Sequence, residues 1–500
     1  MANPSVTTLL SPADLLDTLL RLRADVLREG RQRYERWSPS IHRRSFCAGA
    51  LNLAYYLAFR TVDLRQIQAS LQPLGLSSLG RSEARVIENL DAVIAALGAI
   101  LGRPASELPA RPTPQRFFRG QRMLDYHSLR VLGSASPTRR VRIMVTLPTE
   151  AADSVNLLSD LLQRGMNWAR INCAHDDPAI WERMIANIRT AEAKTGKRCR
   201  VLMDLGGPKV RTGQVLVQPS RNKLVLGDTL LLTREPPVED DQFPFQAHCA
   251  IPEVFDHVKI GDSVWVDEGK IGAEIAEIRP EGLLLRVTRV APDGEKLKPE
   301  KSLNFPDTIL PIAALTDKDI ADLDFVAKHA DAVGYSFVQT AEDMQCLQEE
   351  LAKRGGDSVI VVAKVETQLA IRNLPEIIVQ AGGRSPLAVL IARGDLAVEI
   401  GYQRTAEMQE EILWLCESAH IPVIWATQVL ETMIKKGIPT RAEMTDAAMA
   451  QRAECVMLNK GTHIAEAVTL LNDVLTRMHE HQLKKMPQLR ALRSWVDEDV

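Results

Sequence analysis

The feature that most constrains the fold is a repeated pattern in which an apolar segment is followed by a loop and a helical segment. The pattern starts near residue 140 and occurs eight times. We predict strands at residues 141–147, 167–173, 199–205, 331–338, 358–366, 387–395, 422–428 and 455–461. Eight consecutive strand–helix units are typical of a TIM (β/α)8 barrel and not of an open doubly wound sheet. Thr316 with Asp319, and Thr440 with Glu443, have the spacing of helix capping boxes.

The segment between the third and fourth predicted strands has a different period. Apolar and polar residues alternate in SVWVDEGKIGAEIAEI and again in LLLRVTRV, with the turn RPEG between them. This alternation indicates a small antiparallel β domain. Because the domain is inserted in a βα loop, we expect it to lie over the carboxyl ends of the barrel strands as a lid.

The N-terminal region has a different composition from the barrel region. Leu and Ala recur at helical spacing near residues 11–37, 46–72 and 81–102, and a connector rich in Pro and Arg follows. We therefore predict five segments. They are a helical domain (1–135), the first part of an α/β barrel (136–213), the β lid (214–306), the second part of the barrel (307–480) and a tail (481–500) with a short helix and a frayed end.

Composition excludes several classes of protein. The formal net charge of -3 gives no general attraction to nucleic acid or to an anionic membrane. The seven cysteines are scattered without a CxxC pair, which argues against a disulfide framework or a zinc site. No signal-peptide pattern occurs at the N-terminus, and the longest apolar run is too short to span a bilayer. We expect a cytoplasmic protein.

Polar residues are concentrated where the predicted strands end, which is where TIM barrels build their active sites. They are Arg170, Asn172 and His175; Asp204, Lys209 and Arg211; Ser336; Lys364 and Glu366; Gly394 and Asp395; and Thr427 and Gln428. A lone charge of this kind is often only solvated, His175 suits a plain surface loop, and Arg211 suits a brace for the lid. Lys364 and Glu366 are harder to explain in this way, because they follow a wholly apolar strand and point to the same side of it.

The residue types indicate the chemistry. Glu366 and Asp395 provide hard oxygen ligands for Mg²⁺ or Mn²⁺. Lys364 beside a metal can stabilise negative charge on an enolate oxygen or a transferring phosphoryl group. Arg170 and Arg211 suit phosphate oxygens. Together these residues predict phosphoryl transfer or enolate chemistry.

Several segments, in order, resemble the pyruvate kinase family over roughly residues 140–480. They are GMNWARINCAHD, MDLGGPKVRTG, VWVDEGKIG, KSLNFPD, AKVETQ, IARGDLAVEI and IPVIWATQVLETMIKKGIPTRAEMTDAAMA. The resemblance implies that phosphoenolpyruvate and ADP are the substrates, with Mg²⁺ (or Mn²⁺) as the cofactor.

The resemblance also assigns roles to individual residues. It implies that Lys364, Thr427 and Arg170 are catalytic and that Glu366 and Asp395 bind the metal. The implied substrate-binding set is Arg170, Ser336, Lys364, Gly394, Asp395 and Thr427, with Thr427 near the point where the enolate is protonated. The implied nucleotide-binding set is Asn172, His175, Arg211 and the lid residue Lys301.

The chain departs from the family at the cation and nucleotide positions. Ala174 and Leu205 stand where the family's monovalent-cation site has Ser and Thr, and Lys209 stands where K⁺-dependent members have Glu. The resemblance therefore implies that Lys209 replaces the bound cation and that K⁺ is not required. Gly206 replaces a usual lysine, PTEA replaces GPAS, and Asn459-Lys460 replaces part of an SGET motif.

Alternatives remain at this point. A metal-dependent lyase, decarboxylase or aldolase acting on a pyruvate-like enolate would keep the same metal ligands and lysine but would need no ADP. An inactive barrel serving as a scaffold is a third reading. The family's C-terminal regulatory domain is expected to be missing, and we expect a homo-oligomer. The sequence predicts neither the role of the N-terminal helices nor the nucleoside preference or effectors.

Overall fold

The structure is a computed structural model that describes residues 8–240 and 242–488. The fold begins with a group of six helices. The helices are α1 (Pro12–Trp37), α2 (Arg44–Phe59), α3 (Arg65–Leu71), α4 (Val86–Ile100), α5 (Pro114–Phe117) and α6 (Arg119–Leu132). The side chain of Ser11 accepts a hydrogen bond from the amide of Asp14 and caps α1. Leu15, Leu19 and Leu22 repeat at helical spacing on α1 and are buried in a common core with α2 and α4.

Two features of this region differ from the sequence prediction. The helix predicted over residues 46–72 is interrupted between α2 and α3, where Asp63 accepts hydrogen bonds from the amide and the guanidinium of Arg65. The Pro-rich connector contains α5 and the start of α6. The density of prolines obscured these helices, although Pro114 stands in the first turn of α5, where proline is tolerated.

The first half of the barrel follows the predicted rhythm. It contains β1 (Arg142–Thr146), α7 (Val155–Arg164), β2 (Trp168–Asn172), α8 (Pro178–Thr195) and β3 (Arg200–Asp204).

A separate sheet then interrupts the barrel. Its strands are β4 (Thr212–Val217), β5 (Thr229–Thr233), β6 (Phe245–Cys249), β7 (Ser263–Val266), β8 (Ile271–Arg279), β9 (Gly282–Arg289) and β10 (Leu303–Asn304). The strand order is β10-β7-β8-β9-β5-β6-β4. The predicted hairpin of β8 and β9 is present, but β5 and β6 run parallel, because the long loop between them brings the chain back in the same direction. This sheet has its own apolar core, which includes Phe245 and Ile275.

The second half completes the barrel and adds a terminal hairpin. Its helices are α9 (Asp317–His329), α10 (Ala341–Lys353), α11 (Gln368–Arg372), α12 (Leu374–Arg384), α13 (Arg393–Ile400), α14 (Tyr402–Ser418), α15 (Glu431–Lys436), α16 (Arg441–Met449) and α17 (Ile464–His479). Its strands are β11 (Ala332–Tyr335), β12 (Ile360–Val365), β13 (Leu387–Ala392), β14 (Val423–Ala426), β15 (Cys455–Leu458), β16 (Gln482–Leu483) and β17 (Met486–Pro487). Both predicted capping boxes are present.

The barrel is closed and parallel, with the strand order β1-β15-β14-β13-β12-β11-β3-β2. Val145 pairs with Leu458 on one side of β1 and with Ala169 on the other, which closes the ring. Inward-facing residues such as Leu202 and Leu390 fill the barrel interior. Outward-facing residues pack under the helices. The predicted TIM barrel with an inserted lid and a helical N-terminus is therefore confirmed.

Several local predictions are wrong: the fourth, fifth and eighth strands end at Tyr335, Val365 and Leu458, short of their predicted ends, and three further differences affect Asp395, Thr427 and the tail. The sixth strand was expected to reach Asp395, but β13 ends at Ala392, and Asp395 lies in the first turn of α13. The seventh strand ends at Ala426, before Thr427. The tail forms a β16–β17 hairpin where a short helix was expected, since the chain turns at Lys484, which has a φ of 54°. Residues 489–500 of the predicted tail lie outside the described residues. No helix in the described ranges is long and apolar enough to cross a membrane.

Candidate active site

The centre of the candidate site is the buried ammonium group of Lys364 near the end of β12. Its Nζ lies 2.6 Å from Ser336 Oγ, 3.1 Å from Glu366 Oε1 and 3.3 Å from Asp204 Oδ2. Burial alone would lower the pKa of Lys364, but the charges of Asp204 and Glu366 outweigh it and raise that pKa. Lys364 is therefore held as a cation in a largely water-free position.

Asp204, at the end of β3, connects this lysine to Arg170 on β2. Arg170 Nε donates to Asp204 Oδ2 over 2.8 Å, and its Nη1 donates to Thr146 Oγ1 over 3.1 Å. Asp204 is 1% exposed. Burial opposes ionisation of this carboxyl, yet Lys364 and Arg170 lower its pKa. The carboxylate thus fixes the positions of two cations that the sequence analysis predicted to be catalytic.

Glu366 follows β12 and is almost fully buried. Its Oε2 accepts a 2.6 Å hydrogen bond from the backbone amide of Phe337, and Phe337 itself has a φ of 56°. Burial raises the pKa of Glu366, Lys364 opposes this shift, and the negative charge of Asp395 adds to it. The expected meeting of Lys364 and Glu366 is present, although Glu366 lies just beyond the last residue of the strand.

Asp395 faces the same region from the first turn of α13 and is paired with Lys209. Lys209 Nζ lies 2.6 Å from Asp395 Oδ1, and both side chains are about four-fifths buried. Gly207, with a φ of 67°, sets the turn that brings Lys209 to this position. The predicted replacement of a monovalent cation by Lys209 remains a prediction, but its ammonium does lie against a predicted metal ligand.

The turn after β14 is held in an unusual conformation. Thr427 and Gln428 have φ values of 70° and 56°, a region that is costly for residues other than glycine. Arg393 holds the turn, because its Nε donates to the carbonyl of Ala426 over 2.8 Å and its Nη2 to that of Thr427 over 2.6 Å. A Cβ on Gly394 would approach Thr427 Cγ2 to 2.8 Å, so glycine is required for this close contact.

The residues predicted to face a nucleotide lie around the rim. Asn172 Oδ1 accepts from the amide of Ala174 over 3.2 Å. Arg211 Nη1 donates to the carbonyl of Glu300 over 3.1 Å at the base of the lid. Lys301 Nζ lies 3.1 Å from Asp267 Oδ1, so in this conformation it is paired within the lid.

His175 lies beside a group of positive charges at this rim. Burial lowers its pKa, and the charges of Lys460, Arg211 and Arg170 lower it further, while Asp176 raises it. Lys460, which the sequence analysis treated only as a departure from the family, is exposed and follows β15. Its charge therefore adds to the positive potential near His175. The family's usual lysine in this part of the site is replaced by Gly206.

A cavity of about 410 Å³ lies between the lid and the barrel and reaches Lys209 and Phe337. Asn304 on β10 donates from Nδ2 to Glu399 Oε1 on α13 over 3.2 Å, which joins the lid to the barrel. The pKa of Glu399 is raised to about 7, chiefly by burial. The hydrogen bond from Asn304 lowers this pKa, and the charges of Asp395 and Asp307 raise it. This contact was not predicted from the sequence.

The donor set fits a divalent cation. Burial raises the pKa of Glu366, the neighbouring charge of Asp395 raises it further, and a hard cation bound between the two carboxylates would stabilise both in their charged form. Among residues 8–240 and 242–488, no group of three or more His, Cys, Asp and Glu side chains forms a complete metal cage. The remaining ligands would have to be substrate oxygens or water, as is usual for Mg²⁺.

Comparison with known proteins identifies the family of the barrel region. The family model described as pyruvate kinase, barrel domain, matches residues 138–467. The chain is 30% identical over 341 residues to a pyruvate kinase of Dictyostelium discoideum, an alignment that covers 66% of this chain and 65% of that protein. It is 31% identical over 349 residues to a pyruvate kinase of Geobacillus stearothermophilus, covering 68% and 57%.

A third relative is pyruvate kinase 1 of Trypanosoma brucei brucei, at 31% identity over 327 residues, covering 65% of this chain and 63% of that protein. The closed parallel barrel with its inserted sheet places the chain in the TIM-barrel class, and the family match identifies the particular family. The chain belongs to the pyruvate kinase family. It spans between about half and two thirds of the length of these three relatives.

Proposed function

We propose that the protein transfers the phosphoryl group of phosphoenolpyruvate to ADP, giving pyruvate and ATP. The observation that carries the proposal is the charged Lys364, held between Asp204, Glu366 and Ser336 at the carboxyl end of a barrel of this family. A fixed cation in a site with little water stabilises developing negative charge strongly.

The reaction requires one bond to break and one to form. The bond from phosphorus to the enolate oxygen breaks, and a bond forms from phosphorus to a β-phosphate oxygen of ADP. Lys364 stabilises the charge on the phosphoryl group and on the enolate oxygen that it leaves. Arg170, whose guanidinium is anchored on Asp204 and Thr146, binds phosphate oxygens and orients the group for in-line transfer.

The enolate is then protonated on carbon to give pyruvate. Arg393 fixes the backbone of the turn that contains Thr427, and the methyl group of Thr427 packs against Gly394. We assign Thr427 to the face of the enolate where the proton arrives.

Glu366 and Asp395 would hold the divalent cation. When bound, Mg²⁺ or Mn²⁺ supplies positive charge that neutralises the transferring phosphoryl group. Asn172, His175, Arg211 and Lys301 are assigned to the nucleotide side, and Lys460 joins them because its charge acts on His175.

Lys209 carries the second part of the proposal. Its ammonium is fixed 2.6 Å from Asp395, so a positive charge is already present next to the predicted metal ligand. We propose that turnover needs no K⁺ for this reason.

The test is pyruvate formation from phosphoenolpyruvate by the full chain with Mg²⁺, with and without ADP. Turnover that requires ADP and produces ATP in equal amount supports the proposal. Pyruvate formation that proceeds without ADP would instead favour an enolate enzyme that needs no nucleotide. No turnover with any nucleoside diphosphate, in a protein that binds Mn²⁺, would contradict the kinase proposal.

A further inference from the structure

A second cavity, of about 400 Å³, lies among the N-terminal helices and is separate from the candidate active site. Its walls come from α1, α2, α4 and α6, and its lining includes His420. His420 precedes β14, whereas Thr427 follows it. The cavity therefore lies at the amino-terminal end of the barrel strands, opposite the end that carries Lys364. We call it the arginine cavity.

The lining of the arginine cavity is strongly positive. It contains Arg23, Arg31, Arg116 and Arg119 but only one carboxylate, that of Glu88. Arg23 is paired with Asp91, and Arg116 Nε lies 3.3 Å from Glu88 Oε1.

The other two arginines are not neutralised. Within residues 8–240 and 242–488, the guanidinium groups of Arg31 and Arg119 have no hydrogen-bond or ion-pair partner. Arg31 lies on α1 and Arg119 begins α6, so two unpaired guanidinium groups from different helices line one cavity. Both side chains are exposed, so water screens their charges in the free protein, and an anion in the cavity would find two guanidinium groups available to bind it.

The rest of the lining suits an organic body. Leu27, Leu51, Ile87 and Met123 provide apolar surface, and Tyr55 adds an aromatic ring. A volume of about 400 Å³ is within the usual range of roughly 300–1,000 Å³ for small-molecule sites.

His420 adds a polar group with unused capacity. Its Nε2 lies 3.2 Å from the carbonyl oxygen of Ala84, and its Nδ1 is buried with no partner among the described residues. Burial lowers the pKa of His420 to about 4, the contact with Ala84 opposes this, and the charges of His127 and Arg119 add to it. The imidazole is therefore neutral at pH 7 and lacks one hydrogen bond.

We propose that the arginine cavity binds a small phosphate-bearing metabolite, with Arg31 and Arg119 holding the phosphate and the apolar wall holding the organic part. Guanidinium forks match the geometry of phosphate oxygens and form charge-assisted hydrogen bonds with them. The site does not depend on the reaction proposed for the barrel, because none of its lining residues belongs to the catalytic set.

The test measures binding by calorimetry in EDTA, with inorganic pyrophosphate and glycerol 3-phosphate as probes. The test variant is Arg31→Gln with Arg119→Gln. The control is Arg36→Gln with Arg130→Gln, which removes the same charge from the same two helices outside the cavity. We expect the test variant to bind at least one probe about tenfold more weakly than the wild type, and the control to bind it unchanged.

Binding at the catalytic site is separated by a Lys364→Met variant, which should retain the affinity of the wild type for the same probe. Tighter binding of glycerol 3-phosphate would identify a phosphate ester as the ligand class, and tighter binding of pyrophosphate a diphosphate. Equal affinity of the test and control variants for both probes would overturn the proposal, as would the absence of saturable binding by the wild type. Circular dichroism and a thermal melt of each variant would show that lost binding is not lost folding.

Discussion

At the scale of single residues, the candidate site is a set of charges that hold one another in position. Lys364 lies among three polar neighbours, Asp204 joins it to Arg170, and Glu366 is fixed by the amide of Phe337. Removing one partner of such a buried network leaves the others uncompensated. Substitutions at Lys364 should therefore change both catalysis and stability.

Replacing Lys364 with Met should reduce kcat by about 100- to 1,000-fold, the usual cost of losing one group that stabilises a transition state. The same change should destabilise the fold by about 3–5 kcal/mol, because Asp204 and Glu366 would lose their shared cation. Steady-state kinetics and urea unfolding test the two effects. Lys436→Met, at an exposed position on α15, is the control. A kcat within tenfold of the wild type would exclude the role assigned to Lys364.

The ammonium of Lys209 predicts the response to monovalent cations. Wild-type turnover should be the same in KCl and in tetramethylammonium chloride at equal ionic strength. Lys209→Glu should have low turnover in tetramethylammonium chloride and should recover severalfold in KCl, because the substitution removes the fixed charge beside Asp395. Lys223→Glu, at a half-buried lid position where the lysine pairs with Asp293, is the matched control. A K⁺ requirement in the wild type would contradict the role given to Lys209.

Lys460 should affect the nucleotide and not phosphoenolpyruvate. Lys460→Gln removes a charge that acts near His175, so the KM for ADP should rise severalfold while kcat and the KM for phosphoenolpyruvate change little. Lys436→Gln should leave all three unchanged. A larger effect on the KM for phosphoenolpyruvate than on the KM for ADP would contradict the assignment of Lys460 to the nucleotide side of the site.

At the scale of helices and strands, the apolar runs and the capping boxes were sufficient to predict the barrel. Thr316 and Thr440 cap α9 and α16 as their spacing indicated. The position of Asp395 was harder to predict, because IARGD continues an apolar run. Only the structure shows that the strand ends at Ala392 and that a helix begins there. α6 was missed, since the prolines before it mask an amphipathic face that is buried only through tertiary contacts.

The site residues also divide into those that the sequence predicted and those that only the structure reveals. Lys364 and Glu366 stood out because charges interrupt a buried strand, and the structure places them in contact. Arg393, Asn304 and Glu399 were not selected, because nothing local distinguishes them. Their roles depend on contacts between residues far apart in the chain, such as Arg393 with the carbonyl of Thr427 and Asn304 with Glu399.

The contact between Asn304 and Glu399 predicts how firmly the lid is held. Asn304→Ala removes one hydrogen bond, worth about 1 kcal/mol, between β10 and α13. Lid opening should then increase by about fivefold, visible as faster amide exchange in β10 and α13 but not in the distant β8–β9 hairpin. Lys223→Ala, which removes lid contacts to Asp293 only, is the control. Unchanged exchange at β10 would show that other contacts hold the lid.

At the scale of the whole molecule, a buried charge cluster connects the N-terminal helices, the barrel and the terminal hairpin. Lys485 in the hairpin turn is paired with Glu83 beside α4, and Lys484 Nζ lies 2.5 Å from Oε1 of Glu454, the residue before β15. Glu417 on α14 lies close enough for the charges of these residues to influence it. Three regions of the chain therefore share one electrostatic environment.

Glu417 makes the stability of this assembly depend on pH. Burial raises its pKa from 4.5 to about 7; Lys484 lowers that pKa, and Glu83 and Glu454 raise it. The folded state therefore holds this proton more tightly than the unfolded state, and stability from this group falls as pH rises from 4.5 towards 7. Above pH 7 the buried carboxylate is charged and destabilises the fold. Glu417→Gln keeps the shape and removes that charge.

Glu417→Gln should therefore stabilise the protein by about 1–3 kcal/mol at pH 8 and have little effect at pH 5. Urea unfolding of the full chain at the two pH values measures the difference. Glu411→Gln, an exposed change on the same helix, should show no dependence on pH. Equal effects of Glu417→Gln at both pH values would mean that Glu417 is already ionised at pH 5, with Lys484 and Lys485 outweighing the cost of burial. The hairpin would then have to be regarded as stabilising a charged glutamate, and Lys484→Met should destabilise the protein more at pH 8 than at pH 5.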